Sequence, residues 1–418
     1  MLDINRVRND KEGIRQALLK RMEPENLDPI LEQILKLDEG RRELIQKTEE
    51  LKAERNKHSK VKPTPAIIDE MKKIGEDIKD TDLKLSEIET KLTELMAELP
   101  NTPADDVVPG GKENNKIVKT YLEKPKFDFK PKDHVELATS LDIIDYERGV
   151  KMSGAGFWIY KGQGALLEWA LLSYFIEFHT KNGYQFMIPP FLLTEQSAYT
   201  SGHLPKFKDD LFWTQDKTCL NATSEMMLGN YHRDEIIDEK LLPLKYCAYS
   251  ACFRREAGSY RKEERGMIRG HQFNKIEMFQ FTKPEDSARA FDELVENAEK
   301  LVEGFGLHYQ TTLLAAGDAS AAMAKTKDIE VWIPSMEIYK EVSSASNALD
   351  YQARRGNIRY KNSETDKNEF IHTLNASGLA TSRLFPAILE QFQQADGSVK
   401  VPVALQKFTG FDTISISK

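Results

Sequence analysis

The residues best suited to chemistry are arginines at the ends of two apolar segments. One segment ends in Arg254, Arg255 and Glu256, and the next opens with Arg269 and Phe273. Guanidinium groups bind phosphate oxygens in a bidentate way, and an aromatic ring can stack on a purine. The combination predicts a nucleotide-phosphate site. Each residue taken singly has another explanation, since Arg254 and Glu256 could form a surface ion pair and Phe273 could be a core residue.

A second group of polar residues lies in apolar surroundings and suggests a pocket for a small polar substrate. It includes the run Thr223, Ser224 and Glu225, and the isolated acid Glu277. If the strand that carries Glu277 is central, its carboxylate is buried and needs a cationic partner such as a substrate ammonium. The alternative is an exposed carboxylate, because side chains alternate along a strand and Glu277 shares its face with Lys275.

Two further polar stretches could bind a metal ion and more phosphate. Glu341 and Ser344 offer oxygen ligands to Mg²⁺, which prefers few protein carboxylates together with substrate phosphates. Ser377 and Arg383 precede and open a predicted helix, so that Arg383 would add another guanidinium group. The hydroxyl residues in these stretches are equally typical of helix caps.

Length and composition set the limits for these predictions. The chain has 418 residues, 40% of them hydrophobic and 30% charged, and its net charge of −8 comes from 59 basic and 67 acidic side chains. This composition predicts two or three folded domains and excludes a chain-wide polycation. No apolar run approaches the roughly 20 residues of a membrane span, and the charged N-terminus does not resemble a signal peptide. Three cysteines are too few for a disulfide framework, so we expect a cytoplasmic protein without membrane association.

The first hundred residues predict a coiled coil. Seam positions alternate at spacings of four and three residues over 30–55 and again over 67–99. Pro63 and Pro65 interrupt the helical pattern between the two seams, which favours an antiparallel hairpin within one chain over a dimeric zipper. The bend is basic, with Arg55, Lys57, Lys60 and Lys62 nearby and no acid from 55 to 68. Such a tip could bind nucleic-acid phosphates, while a plain structural spacer is the alternative.

The rest of the chain predicts an antiparallel sheet with flanking helices, and therefore an α+β fold. Neither of the two commonest glycine-rich nucleotide-binding motifs is present. The predicted strands cover 186–188, 247–253, 273–281 and 329–333, and the predicted helices cover 166–180, 288–305 and 384–393.

Together these segments resemble seryl-tRNA synthetases of the bacterial type, which are class II aminoacyl-tRNA synthetases. Residues 183–190, 253–273 and 378–383 resemble class II motifs 1, 2 and 3 in order, with Pro190 in the motif 1 proline position. Segments 223–225, 271–278, 341–344 and 350–355 resemble parts specific to the seryl enzymes. The similarity covers essentially the whole chain.

The resemblance implies a tRNA-binding coiled-coil arm over residues 1–110 and a class II catalytic domain over 111–418. It implies activation of L-serine with ATP and Mg²⁺ to seryl-adenylate, and transfer of serine to tRNA(Ser), as well as to tRNA(Sec) where that tRNA is present. It also implies a homodimer formed through motif 1.

The resemblance assigns roles residue by residue. Arg254, Arg383 and Glu341 would be catalytic, with Arg254 on the α-phosphate, Phe273 on adenine, and Arg269 and Arg383 on the outer phosphates. The ATP site would comprise Arg254, Arg255, Glu256, Arg269, Phe273, Glu341, Val342, Ser343, Ser344 and Arg383. The serine site would comprise Thr223, Ser224, Glu225, Arg254, Glu277 and Ser377. Glu341 and Ser344 would hold Mg²⁺, and Arg55, Lys57, Lys60 and Lys62 would contact tRNA.

Two other functions compete with this prediction. A synthetase-like ligase that charges a carrier protein would share motifs 2 and 3, but it would not need a tRNA-reaching arm. A catalytically degenerate paralogue that only binds RNA would be expected to lack Arg254, Glu341 or Arg383, and all three are present.

Overall fold

The computed structural model describes residues 1–59, 63–256 and 266–416. The chain divides into two compact units, Met1–Thr102 and Pro103–Lys418. No helix in the described ranges is both long enough and apolar enough to cross a membrane.

The N-terminal unit is a helical hairpin preceded by two short helices. Its helices are α1 (Ile4–Asn9), α2 (Lys11–Leu18), α3 (Pro24–His58) and α4 (Pro65–Glu98). Helix α4 begins where the sequence predicts, because Pro65 occupies the first turn and the Thr64 hydroxyl accepts a hydrogen bond from the Ile67 amide. Arg41 pairs with Glu89 at 3.3 Å, and His58 lies 3.8 Å from Glu70, so the two long helices run antiparallel. The predicted coiled-coil hairpin is confirmed.

The C-terminal unit contains strands and helices in mixed order. Its strands are β1 (Lys116–Tyr121), β2 (Ile144–Asp145), β3 (Ile159–Tyr160), β4 (Gln185–Met187), β5 (Leu192–Thr194), β6 (Thr218–Leu220), β7 (Ile236–Asp238), β8 (Leu244–Phe253), β9 (Gln272–Thr282), β10 (Tyr309–Leu313), β11 (Lys325–Ile333), β12 (Ile338–Leu349), β13 (Arg359–Lys361), β14 (Asn368–Phe370), β15 (His372–Ala380), β16 (Val399–Lys400) and β17 (Thr413–Ile414). Its helices are α5 (His134–Ser140), α6 (Tyr146–Ser153), α7 (Gln163–Lys181), α8 (Glu195–Thr200), α9 (Glu225–Leu228), α10 (Ser287–Glu303), α11 (Tyr351–Arg355), α12 (Thr381–Gln391) and α13 (Val403–Thr409).

The main sheet has eight strands in the order β1-β10-β11-β12-β15-β9-β8-β4. Its neighbours are antiparallel except for β4, which pairs with β8 in parallel. The α+β fold with an antiparallel sheet and flanking helices is therefore confirmed.

Side chains along β9 alternate between the two faces of the sheet, and each face covers a hydrophobic core. Ile276 and Met278 enter the large core, to which α7, α10 and α12 also contribute apolar side chains. Phe279 enters a second core on the other side of the sheet, and Glu277 shares its face. The neighbouring strand β15 places Ser377 opposite Glu277, and its register against β9 shifts between Ser377 and Ala380. The sheet thus brings two predicted site residues side by side next to a bulge.

Candidate active site

A polar cavity of about 500 Å³ opens over the central strands β9, β12 and β15. Eight of the residues predicted from the sequence line it: Thr223, Glu225, Arg254, Glu256, Arg269, Glu341, Ser344 and Ser377. A smaller adjoining cavity adds Phe273 and Arg383. Arg254, Arg269 and Ser377 line both spaces, so the two form one continuous site.

Three arginines gather at one side, which we call the arginine end (Arg254, Arg269 and Arg383). The Arg254 guanidinium lies 5.2 Å from the centroid of the Phe273 ring, and its Nε donates to the Ala222 carbonyl at 3.2 Å. Arg269 pairs with Glu256. Arg383 donates to the Glu341 carbonyl oxygen at 2.9 Å and lies 3.3 Å from the Glu341 carboxylate. All these side chains are only partly buried, so their guanidinium groups are held by internal contacts yet open to an anionic ligand.

A second part of the site, which we call the buried end, consists of the cavity-lining residues Thr223, Glu225 and Lys275 together with Glu277, which pairs with Lys275 but is not among the residues that line either cavity. Glu277 is only 2% exposed, so the alternative of an exposed carboxylate is wrong. Its carboxylate pairs with Lys275, which is 4% exposed and donates to the Thr223 hydroxyl at 2.6 Å. The Thr223 hydroxyl in turn donates to Glu277 at 3.4 Å. A buried Glu277 was predicted to need a cationic partner such as a substrate ammonium, and Lys275 of the same strand already provides that cation.

Glu225 adds a second carboxylate to the buried end. Its Oε1 accepts a hydrogen bond of 2.6 Å from Gln352, whose own carbonyl accepts from Thr373. Burial, and then the negative charge of Glu277, raise the pKa of Glu225 to about 7. The carboxylate therefore changes its charge close to neutral pH.

His203 also lines the cavity and was not predicted as a site residue. Its Nδ1 lies 2.9 Å from the Ser201 hydroxyl. Burial, followed by the positive charge of Arg254, lowers the pKa of His203 to about 3, which keeps the ring neutral. His203 lies in a loop, where no sequence pattern indicates which side chains reach the cavity. For Lys275, in contrast, its position two residues before Glu277 did indicate that the two side chains share a face of the strand.

Several predicted residues have side chains outside the cavity. Arg255 is exposed, and the Ser224 hydroxyl forms a hydrogen bond of 2.7 Å with the Ser250 hydroxyl in the protein interior. Val342 and Ser343 are buried in β12, where the Ser343 hydroxyl donates to the Ser377 carbonyl. Of the predicted tRNA-binding residues, Arg55 and Lys57 are exposed on α3, and Lys60 and Lys62 lie outside the described residues.

The oxygen donors around Glu341 fit a hard divalent cation such as Mg²⁺. Glu341 and Ser344 both line the cavity, and Asp328 of β11 lies opposite Ser344 in the sheet. One oxygen of Asp328, Oδ1, is buried and lacks a hydrogen-bond partner in the described part of the chain. Burial, and then the charge of Glu341, raise the pKa of Asp328 well above its ordinary value. A cation bound next to these carboxylates would relieve their repulsion.

Comparisons with known proteins agree with this geometry. Residues 1–103 match the family model of the seryl-tRNA synthetase N-terminal domain, and residues 206–392 match that of the class II tRNA synthetase core domain (G, H, P, S and T). Serine–tRNA ligase 2 of Clostridium acetobutylicum is 56% identical over 431 residues, covering 99% of this chain and 100% of the relative. Serine–tRNA ligase of Chlorobium phaeobacteroides (strain BS1) is 45% identical over 427 residues, with coverage of 99% and 100%.

A solved structure agrees over the full length. The crystal structure of seryl-tRNA synthetase from Pyrococcus horikoshii complexed with ATP matches with a TM-score of 0.94 at 32% identity, covering 100% of both chains. The helical hairpin, the antiparallel sheet and the continuous cavity are thus found in a chain that belongs to the seryl-tRNA synthetase family.

Proposed function

We propose that this protein activates L-serine with ATP to seryl-adenylate and transfers the serine to the 3′ end of tRNA(Ser). The observation that carries the proposal is the continuous cavity, in which the buried end adjoins the arginine end. One end suits a small polar zwitterion and the other suits a polyphosphate. A ligand that reaches from one end to the other would place a carboxylate next to phosphate.

The buried end is the proposed site of serine. With Lys275 paired to Glu277, the carboxylate of Glu225 adds negative charge to this end when it ionises near pH 7, and that charge favours an ammonium group. Thr223 and Ser377 line the cavity and offer hydroxyl groups to the serine side chain, and Glu277 would add its carboxylate. Since alanine would leave those groups without partners, the pocket should reject it.

The arginine end is the proposed site of ATP. Arg254 would contact the α-phosphate, Arg269 and Arg383 the outer phosphates, and Phe273 the adenine ring. Glu256 and Glu341, which now pair with two of these arginines, lie where they can keep the guanidinium groups in place. Four residues proposed as ligands have side chains that do not line the cavity: Arg255, Val342, Ser343 and Ser224. Any contact that they make with a ligand would therefore come from their backbone atoms.

The first chemical step requires positioning more than proton transfer. A serine carboxylate oxygen attacks the α-phosphorus, and the bond to the bridging oxygen of pyrophosphate breaks. Because the carboxylate of serine is already ionised at neutral pH, alignment of the substrates and neutralisation of phosphate charge can provide most of the rate enhancement. Mg²⁺ held by Glu341 and Ser344 would supply further neutralisation of phosphate charge. In the second step, a hydroxyl of the terminal ribose attacks the seryl carbonyl and AMP leaves.

The helical hairpin is the proposed tRNA-binding element, within a domain spanning 1–110. Arg55 and Lys57 are exposed near its end, and Lys60 and Lys62 follow in the sequence. Cations of this kind bind phosphates without reading sequence, so the interaction should weaken with added salt. The catalytic domain would span 111–418.

A homodimer through the motif 1 region is also proposed. Strand β4 is an edge of the main sheet and leads into two prolines. Ile188, just after it, is 70% exposed, and Trp169 of α7 is 61% exposed. Exposed apolar side chains of this size are typical of an interface. Sedimentation of the wild-type protein and of Ile188→Glu would test this, since the charged variant should shift to monomer.

The experiment that tests the function compares adenylate formation with tRNA charging. Replacing residues 28–99 by a short flexible link should leave serine-dependent pyrophosphate exchange largely intact, because the proposed substrate ligands lie at or after Thr223. Charging of tRNA(Ser) should fall steeply. Replacing Arg55, Lys57, Lys60 and Lys62 by Ala should reproduce part of that loss and flatten the salt dependence.

The matched control replaces four exposed lysines farther from the bend, namely Lys47, Lys79, Lys84 and Lys91, with Ala. Both quadruple variants remove four positive charges. The control should lower tRNA affinity less than the variant of Arg55, Lys57, Lys60 and Lys62, because its lysines lie farther from the bend. A wild-type protein that exchanges pyrophosphate but does not charge tRNA would favour the carrier-protein ligase. A protein with neither activity would favour the RNA-binding paralogue.

A further inference from the structure

Two buried polar residues of α7 take no part in the proposed chemistry. Glu168 is 4% exposed and His179 is fully buried. They lie eleven residues apart, which is three helical turns, on a face that also carries Leu172 and Phe175 of the large core. Because an unpaired polar group on an apolar face is costly, each needs a specific partner.

His179 contacts the backbone at the bulge of β15. Its Nε2 lies 3.0 Å from the Gly378 carbonyl oxygen. Since a carbonyl only accepts, Nε2 must carry the proton and donate it. Burial lowers the pKa of His179 to about 4, so the ring is neutral at physiological pH. A Cβ at position 378 would come within 2.3 Å of Nε2, so this close approach requires glycine.

Glu168 contacts the start of helix α12, which directly follows β15. Its Oε1 accepts from the Thr381 hydroxyl at 2.6 Å and from the Asn274 amide at 2.8 Å. Thr381 is the first residue of α12, and Asn274 belongs to β9. One carboxylate oxygen thus connects α7 to both the sheet and the start of α12.

The two contacts enclose residues 378–381, where β15 leaves its register with β9 and the chain turns into α12. The residue before this segment is Ser377 at the main cavity, and two residues beyond it is Arg383 of the arginine end. We infer that Glu168 and His179 are positioning residues, which hold the 378–381 segment so that Ser377 and Arg383 face the cavity together. The assignment of serine to the buried end and of ATP to the arginine end rests on the proposed function, whereas the holding of the 378–381 segment does not.

The inference makes a directional prediction. The His179 contact lies next to Ser377, so His179→Phe, which fills the space but cannot donate, should raise the KM for serine about tenfold or more and change the KM for ATP less. The Glu168 contact lies closer to Arg383, so Glu168→Leu should affect ATP more than serine. Small displacements of groups that orient reactants are sufficient for losses of this size.

Conservative variants separate positioning from packing. Gln can place an amide near the position of the His179 Nε2, and Glu168→Gln keeps a carbonyl oxygen for Thr381 and Asn274. Both Gln variants should restore most of the lost substrate affinity. Glu177→Gln is the control on the same helix, because Glu177 pairs with Lys181 and Lys407 near the surface. Pyrophosphate exchange, titrated in serine and in ATP, is the measurement. Equal losses for both substrates in proportion to lost thermal stability, or no loss, would overturn the inference.

Hydrogen exchange decides the same question without any activity. Amides of residues 374–384 should exchange faster in His179→Phe and Glu168→Leu than in the wild type, and at near wild-type rates in the Gln variants and in Glu177→Gln. If the wild type showed no serine-dependent pyrophosphate exchange, the proposed function would fail. The hydrogen-exchange pattern would still test whether Glu168 and His179 hold the 378–381 segment. Unchanged protection in both apolar variants, or loss spread over the whole domain, would contradict it.

Discussion

At the buried end of the cavity the charges are paired within the protein and shielded from solvent, whereas at the arginine end they remain partly open to it. Lys275, which lines the cavity, pairs with Glu277, and both side chains are almost fully buried. Arg269 and Arg383 rest on Glu256 and Glu341, which are themselves only partly buried. The difference indicates that the buried end is preformed in the absence of substrate. At the arginine end, the guanidinium groups can release or share their carboxylate partners when phosphate binds.

The largest expected effect comes from removing the buried cation. Lys275→Met leaves the Glu277 carboxylate buried without its partner, which should lower the free energy of unfolding by about 3–5 kcal/mol. Urea denaturation measures the loss. The double variant Lys275→Met with Glu277→Gln should recover much of the stability but not serine activation. Lys300→Met, which breaks an exposed pair with Glu296, is the control and should change stability little. An unchanged stability in Lys275→Met would mean that the pair is not buried as described.

Variants at the arginine end should instead spare the fold. Arg254→Ala and Arg383→Ala should each reduce adenylate formation by about 100-fold or more, because each removes a fixed cation that would stabilise the charge developing on the phosphates. Circular dichroism and the melting temperature should stay close to those of the wild type. Arg289→Ala is the control, since Arg289 is exposed and pairs only with Asp286 among the described residues. Near-normal exchange in either of the first two variants would refute the phosphate assignment.

The contrast between the ends also explains what the sequence could predict. The heptad seams fixed the hairpin because spacing alone determines which helix face is apolar. The strands around Glu277 and the arginine clusters were predictable because alternation and residue type are local properties. In contrast, the partners Glu168–Thr381 and His179–Gly378 join residues about 200 positions apart, which no local pattern records.

Lys275 illustrates the limit most clearly. Its position two residues before Glu277 placed both on one strand face, yet nothing in the sequence distinguishes a buried ion pair from an exposed one. Burial depends on β9 having β8 and β15 on either side. His203 and Asp328 reach the site through a loop and a neighbouring strand, so their roles follow only from the assembled sheet.

A smaller effect distinguishes the two ends by pH. Because the folded-state pKa of Glu225 is raised from 4.5 to about 7, its contribution to stability is fully present below pH 4.5 and is lost as pH rises through about 7. Ionised Glu225 attracts an ammonium, so serine affinity should increase about threefold between pH 6.5 and 7.5. ATP affinity should vary less. Steady-state KM values across this range provide the measurement, and Glu225→Gln should remove the serine dependence. An equal pH dependence in that variant would exclude Glu225 as its source.

The central claim is that the two ends of one cavity receive different substrates, and the most direct test titrates serine and ATP separately in pyrophosphate exchange. Glu277→Gln should raise the KM for serine at least tenfold while leaving the KM for ATP within about twofold, because it removes the carboxylate that holds Lys275 and that the proposal assigns to serine, and both lie at the buried end. Arg383→Ala should show the opposite selectivity. If both variants weakened serine and ATP equally, the separation of the cavity into an amino-acid end and a phosphate end would be contradicted.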